Sequence, residues 1–281
     1  MIPAGDSSHP ASFGAASLWI VDLDGVVWLT GEPIGPVGHA VAALRARGTR
    51  VVFATNNSAP TTDDLLARLR RIGIESSAGD LATSAAAVAS LLEPGQRVTV
   101  LAEGGVHESL AARGVEIVDP GVPPDGPHAS PSEAAVVGWN RSFDFDSLAV
   151  TAAAARRSGR LLATNEDPTH PTPDGLMPGS GALLAAVATA SGVVPEIAGK
   201  PHAAMAALMQ TRFGFEAGDP SVVMIGDQPR TDGRLAERLG IPFGLVDSGV
   251  TPAGTGGFDV PVAIRADDFV SLVRTCLNTA I

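Results

Sequence analysis

Four short apolar runs along the chain each end on polar residues. Residues 18–21 lead into Asp22, residues 50–54 into Thr55-Asn56-Asn57, residues 222–225 into Gly226-Asp227, and residues 243–246 into Asp247. Near-continuous β-branched and aliphatic runs, rather than strict alternation, are the pattern of parallel strands covered on both faces. Ala-, Leu- and Arg-bearing stretches at 37–47, 62–72 and 234–239 predict helices between them. Strand then helix, repeated, is the α/β signature. In such sheets ligands bind beyond the carboxyl ends of the strands, and all four polar tips are predicted at that edge.

The middle of the chain repeats the grammar independently. Strands are predicted at 98–101, 134–138 and 160–163, and helices at 105–113, 146–158 and 182–190. Two long stretches, 119–132 and 166–181, are rich in Pro and Gly and read as irregular. Loops of that length inside a compact domain are usually functional or disordered. The expected organisation is a discontinuous core domain, residues 18–83 and 197–281, with a second α/β domain inserted at 84–196. Residues 1–17 lack Lys, Arg and an apolar stretch, so they read as a loose extension rather than a secretory signal.

Composition narrows the classes. Of 281 residues, 45% are hydrophobic and 17% charged, which excludes a disordered chain. The formal charge of −11 argues against nucleic acid as a partner, because such binding rests on Lys and Arg neutralising phosphates. A lone cysteine, Cys276, excludes a disulfide framework and a cysteine zinc cluster, and fits a reducing, cytoplasmic compartment. No apolar run approaches the roughly 20 residues of a membrane helix.

The strand tips carry the candidate chemistry. In Asp22-Leu23-Asp24-Gly25 a turn at Gly25 can bring both carboxylates near one phosphate, one as nucleophile and one as proton donor; the alternative is that they only cap or solvate a turn. Thr55-Asn56-Asn57-Ser58 offers a hydroxyl, amides and backbone N–H groups to phosphate oxygens, although such residues also abound in turns, and Thr61 with Asp64 resembles a capping box. Lys200, in Gly199-Lys200-Pro201, is either a surface lysine or a cation that calls for an anion. Asp227 and Asp232 provide oxygen ligands suited to Mg²⁺, or form an acidic turn. The scattered histidines make zinc a poor fit. Trp28, Trp139 and the nine Phe read as packing.

Together, and in this order, these motifs resemble the haloacid dehalogenase superfamily of phosphohydrolases: DLDG at 22–25, Thr55, Lys200 and GDQPRTD at 226–232. Only the gap between Thr55 and Lys200 can hold a domain, which resembles the class II cap of the NagD-like branch (subfamily IIA). That branch includes pyridoxal phosphate, phosphoglycolate, glycerol 3-phosphate and 4-nitrophenyl phosphatases. The stretches TNNSAPT, ATNEDPTHP, MPGSGALLAAVATASG and AGKP are similar to it as well. The resemblance implies a Rossmann-like parallel-sheet core with an inserted α/β cap, Mg²⁺ as cofactor, and a small phosphorylated metabolite as substrate. It implies Asp22 as nucleophile and Asp24 as general acid and base. Metal ligation falls to Asp22, the Asp24 backbone carbonyl and Asp227, with Asp232 and Gly25 in support. Thr55, Asn56, Asn57 and Lys200 would hold the phosphoryl group, and His170 would contact substrate. Caps of this class often take part in dimer contacts, which leaves room for a homodimer.

Overall fold

The computed structural model describes residues 13–29, 31–118, 131–172, 175–251 and 253–278. Most of the N-terminal extension and of the irregular stretch at 119–132 therefore lie outside the described residues. In chain order the strands are β1 (Leu18–Asp22), β2 (Trp28–Leu29), β3 (Glu32–Pro33), β4 (Arg50–Thr55), β5 (Leu81–Thr83), β6 (Arg97–Leu101), β7 (Glu116–Ile117) and β8 (Ala134–Val137). They continue with β9 (Leu161–Ala163), β10 (Thr169–Thr172), β11 (Gly175–Pro178), β12 (Pro195–Ile197), β13 (Val222–Gly226), β14 (Phe243–Val246) and β15 (Ile264–Ala266). Two compact units result. One comprises residues 1–54, 66–81 and 209–281, and the other residues 55–65 and 82–208.

The first unit is built on a six-stranded sheet in the order β15-β14-β13-β1-β4-β5. Every adjacent pair from β15 to β4 runs parallel, so their carboxyl ends share one edge. β1 lies centrally, with Asp22 registered against Ala54, and all five of its residues are buried. Burial on both faces explains the unbroken apolar run read from the sequence. Beneath the sheet, Trp19 packs edge-on against Phe13 and Phe269, with ring centroids 6.1 and 6.2 Å apart, and its indole N–H donates to the Phe13 carbonyl at 3.2 Å. Phe269 opens the helix Phe269–Leu277, which has no counterpart in the sequence reading. That helix also buries Cys276, and burial pushes its thiol up to about 12, so it serves as a packing group.

The second unit carries a five-stranded sheet in the order β12-β9-β8-β6-β7, parallel throughout. The helix Phe145–Ser158 buries Ala152–Ala155, of which Ala152, Ala154 and Ala155 share one core with Leu183, Leu184 and Val187 of the helix Ser180–Ser191 and with residues of β8 and β9. Four consecutive buried alanines are spread around a full helical turn, so this helix is packed closely on more than one side, which accounts for the alanine bias. One expectation is corrected. Residues 166–181 are not wholly irregular: β10 and β11 form an antiparallel hairpin pairing His170 with Met177. Its Pro-rich sequence masked the pattern, because prolines cannot donate to a ladder and are tolerated only at edges. Phe145, at the start of its helix, is 80% exposed and so lies outside the core of this chain.

Trp19→Ala removes the aromatic hub of the first unit and is expected to lower unfolding stability by about 3–5 kcal/mol, read from chemical denaturation followed by circular dichroism. A loss below about 1 kcal/mol would contradict that packing account.

Candidate active site

At the end of β1 the chain turns sharply. The Leu23 carbonyl accepts the N–H groups of Val27 and Trp28 at 2.9 and 3.1 Å, and Gly25 N–H donates back to the Trp28 carbonyl at 2.7 Å. Gly25 sits at φ +87°, and a Cβ there would stand 2.6 Å from Asp227 Oδ2, so only glycine fits. Asp22 itself is buried, and its Oδ1 accepts the Leu23 N–H at 2.7 Å. Asp24, half-buried, accepts the indole N–H of Trp28 on Oδ1 at 3.0 Å.

β13 delivers the other carboxylates. Beyond Asp227 the chain forms a single π-helical turn, Pro229–Gly233, a geometry frequent at functional sites. The Gln228 carbonyl accepts the N–H groups of Thr231, Asp232 and Gly233. This folds Asp232 back, so that its Oδ2 accepts the Gln228 N–H at 3.1 Å. A side chain at Gly226 would collide with it, a Cβ there lying 2.2 Å from Asp232 Cγ. Asp227 Oδ2 accepts the Val250 N–H at 2.6 Å, and a Cβ at Gly249 would lie 2.0 Å from that oxygen. The same loop ties back to the DLDG turn, where the Ser248 hydroxyl donates to the Gly25 carbonyl at 2.7 Å.

These constraints converge. Asp22, Asp227 and Asp232, all buried, each offer an oxygen within 4.8 Å of the others, and they form the one such group of metal-ligating side chains among the described residues. Buried carboxylates brought this close call for a counter-charge, and an all-oxygen donor set without Cys or His suits Mg²⁺ rather than zinc. The fourth strand tip does not join them. Asp247 is gripped by Arg265, with Nε 2.9 and 3.1 Å from its two oxygens. That pairing gives it a structural part.

The second unit organises the other predicted residues. Asn56 Oδ1 accepts the Lys200 N–H at 2.7 Å, and Asn56 Nδ2 donates to the Lys200 carbonyl and to Asp167 Oδ2, both at 3.1 Å. The Asn56 amide thus clamps the lysine's backbone on both sides. The Asn56 carbonyl is in turn held by Ser84 Oγ and Asn165 Nδ2, each at 2.7 Å. Thr55 Oγ1 accepts the Asn57 N–H at 2.9 Å, and Asn57 Oδ1 accepts the Ala59 N–H at 3.1 Å. Lys200 is only 3% exposed, so it is not an ordinary surface lysine. Thr61 and Asp64 form the capping interaction in both directions, at 3.1 and 3.2 Å. His170, on β10, lies 5.6 Å from the Trp139 ring, whose indole N–H donates to the Pro178 carbonyl at 3.0 Å.

Several contributors carry no signal in the sequence: Ser248, Gly249, Val250 and the polar edge of Trp28 in the first unit, and Ser84 in the second. Gly249 and Val250 act through backbone and leave no side-chain signature. Trp28 was read as packing only, and although it is buried it also holds a carboxylate.

Comparison with known proteins agrees with this geometry. The haloacid dehalogenase-like hydrolase family profile matches residues 19–116, and the HAD-hydrolase-like profile matches residues 197–272. A D-glycerol 3-phosphate phosphatase of Mycobacterium tuberculosis is 33% identical over 247 residues, 86% of this chain and 66% of that protein, so the chain spans just under two thirds of that relative. An acid sugar phosphatase of Staphylococcus aureus is 26% identical over 83% of this chain and 87% of its own length. Among solved structures, a p-nitrophenyl phosphatase from Archaeoglobus fulgidus superposes with a TM-score of 0.82 at 28% identity, over 92% of this chain and 98% of its own. A glycerol phosphate phosphatase from Mycobacterium tuberculosis, crystallised with magnesium, gives 0.81 at 31% identity, over 93% and 78%. The chain belongs to the haloacid dehalogenase-like hydrolases, with the Rossmann-like fold shared by phosphatases of that family.

Asp227→Asn removes one charge from the buried triad while keeping its shape. Isothermal titration with Mg²⁺ is expected to show at least ~10-fold weaker binding than the unsubstituted protein. An unchanged dissociation constant would mean that the carboxylates do not hold the ion.

Proposed function

We propose that the protein is a Mg²⁺-dependent phosphatase that hydrolyses a small phosphomonoester through an aspartyl-phosphate. The observation that carries this reading is a buried Asp22 at a central strand tip, beside Asp227 and Asp232. Asp22, Asp227 and the Asp24 backbone carbonyl would hold the ion, with Asp232 in support. Once bound, the ion supplies positive charge to the phosphoryl oxygens and to the crowded carboxylates.

The chain's own residues then perform two displacements. An Asp22 carboxylate oxygen attacks phosphorus, the bond to the leaving oxygen breaks, and Asp24 gives that oxygen a proton. Water next attacks the phosphorus of the aspartyl-phosphate while passing a proton to Asp24; the bond to Asp22 breaks and inorganic phosphate departs. Lys200 and Thr55 bind the phosphoryl oxygens, and Asn56 and Asn57 fix the loop that carries them. Preorganised charge of this kind is usually the largest catalytic term. Gly25 keeps the turn free of a side chain.

For the substrate, the glycerol 3-phosphate, phosphoglycolate or pyridoxal phosphate class is favoured, and the 33% identity to a D-glycerol 3-phosphate phosphatase supports the first. Sugar phosphates are the second reading, supported by the acid sugar phosphatase relative. Selection is assigned to the inserted segment 84–196, with His170 contacting the ester. A cytoplasmic location fits a chain with one buried cysteine and no described helix long and apolar enough to cross a membrane.

Hydrolysis of 4-nitrophenyl phosphate is expected to require Mg²⁺, to stop in EDTA, and to fall by ~10³-fold or more in Asp22→Asn. Mg²⁺-dependent turnover that survives Asp22→Asn would overturn the covalent mechanism.

A further inference from the structure

The three tryptophans of the chain each bury or cover a ring and send the indole N–H to a partner, as large amphipathic rings do. Trp19 donates to the Phe13 carbonyl at 3.2 Å and Trp139 to the Pro178 carbonyl at 3.0 Å. Trp28 differs. Its indole N–H donates to a side-chain carboxylate, Asp24 Oδ1, at 3.0 Å.

Trp28 is also unusually well fixed. The residue is 3% exposed, its backbone N–H donates to the Leu23 carbonyl, and its own carbonyl accepts from Gly25 N–H. It opens β2, which pairs with β3 and sets Trp28 opposite Pro33. Both backbone polar groups and the ring are therefore held by the turn that carries Asp22 and Asp24. A donor so held can orient the group it touches without moving itself.

We infer that Trp28 is the positioning residue for the general acid, selecting which oxygen of Asp24 carries the proton. The inference rests on Asp24 acting as proton donor in the proposed reaction. Its chemistry is simple. An indole N–H only donates, so the oxygen it meets must accept in both protonation states. In a carboxylic acid the accepting oxygen is the carbonyl one, which leaves the proton on Oδ2. Oδ2 then delivers that proton to the leaving oxygen as its bond to phosphorus breaks, and later receives one from the attacking water. Exchanging the indole N–H for a group that cannot donate removes the bond that marks Oδ1 as the acceptor, and the fraction of encounters with a correctly aimed proton falls.

The test exploits the leaving group. A 4-nitrophenolate departs without help, whereas phenoxide and alkoxide need the proton more. The value of kcat/KM reports phosphoryl transfer to Asp22, independent of how fast the intermediate is hydrolysed. It is measured for 4-nitrophenyl, phenyl and benzyl phosphate in the unsubstituted protein, in Trp28→Phe, and with Trp28 replaced by benzothienylalanine. The last keeps ring volume and exchanges the N–H for sulfur, so it reads the hydrogen bond even where Phe disturbs the fold. Asp24→Asn serves as the reference for complete loss of the acid.

The expected result is a graded loss in both Trp28 replacements, under ~3-fold for 4-nitrophenyl phosphate and ~10-fold or more for phenyl and benzyl phosphate, a part of the 10²–10⁴-fold that general acid catalysis supplies. Equal losses on all three esters, or none, while Asp24→Asn remains selective, would overturn the role of Trp28 and leave the acid role of Asp24 standing. Losses in Asp24→Asn that ignore the leaving group would overturn the acid role itself, and the inference with it.

Discussion

Three carboxylates share one buried corner of the first unit, and their mutual repulsion is the constraint that organises everything near them. At an effective dielectric of about 20, two unit charges roughly 5 Å apart repel by about 3 kcal/mol. Backbone N–H groups from Leu23, Gln228 and Val250 offset part of this by donating to Asp22, Asp232 and Asp227. A divalent cation offsets far more. The glycines at 25, 226 and 249 follow from the same constraint, because each lets the backbone run against a carboxylate where a Cβ would collide. The nucleophile, its metal site and the turn between them are one physical object rather than separate motifs.

The second unit solves a related problem for a cation. Lys200 is buried, and the loop beneath it is built from paired backbone clamps, with Asn56 holding the Lys200 peptide groups while Ser84 and Asn165 hold Asn56. Such interlocked amides fix a long, flexible side chain at its root. A lysine whose root is fixed presents its charge with less loss of freedom on binding an anion, which is how preorganisation lowers the cost of association.

Much of this was legible in the chain. The parallel strands announced themselves by unbroken apolar runs, because burial on both faces leaves no polar alternation, and their polar tips marked the functional edge. Asp22, Asp227 and Asp232 stand out in the sequence by their places after apolar strands and by the family resemblance, and the structure gathers them. Legibility ended where one residue type serves two purposes. Asp247 occupies a strand tip like Asp22, yet Arg265, distant in sequence, claims it. Trp28 has the composition of a core residue, and its polar edge matters only because the turn sets it beside Asp24. The hairpin of β10 and β11 was hidden by prolines, and the hold of Val250 on Asp227 is a backbone bond that any residue but proline could make.

The central claim is that Asp22 can reach phosphorus while a divalent ion bound by Asp227 relieves the charge around it. A crystal structure of the protein grown with Mg²⁺ and beryllium fluoride, a mimic of the transferred phosphoryl group, tests it directly. The account predicts a fluoroberyllate bonded to an Asp22 carboxylate oxygen, with one octahedral ion ligated by Asp22 and Asp227. Clear density for an empty carboxylate corner, or for Asp22 and Asp227 turned away from each other with no ion between them, would contradict it.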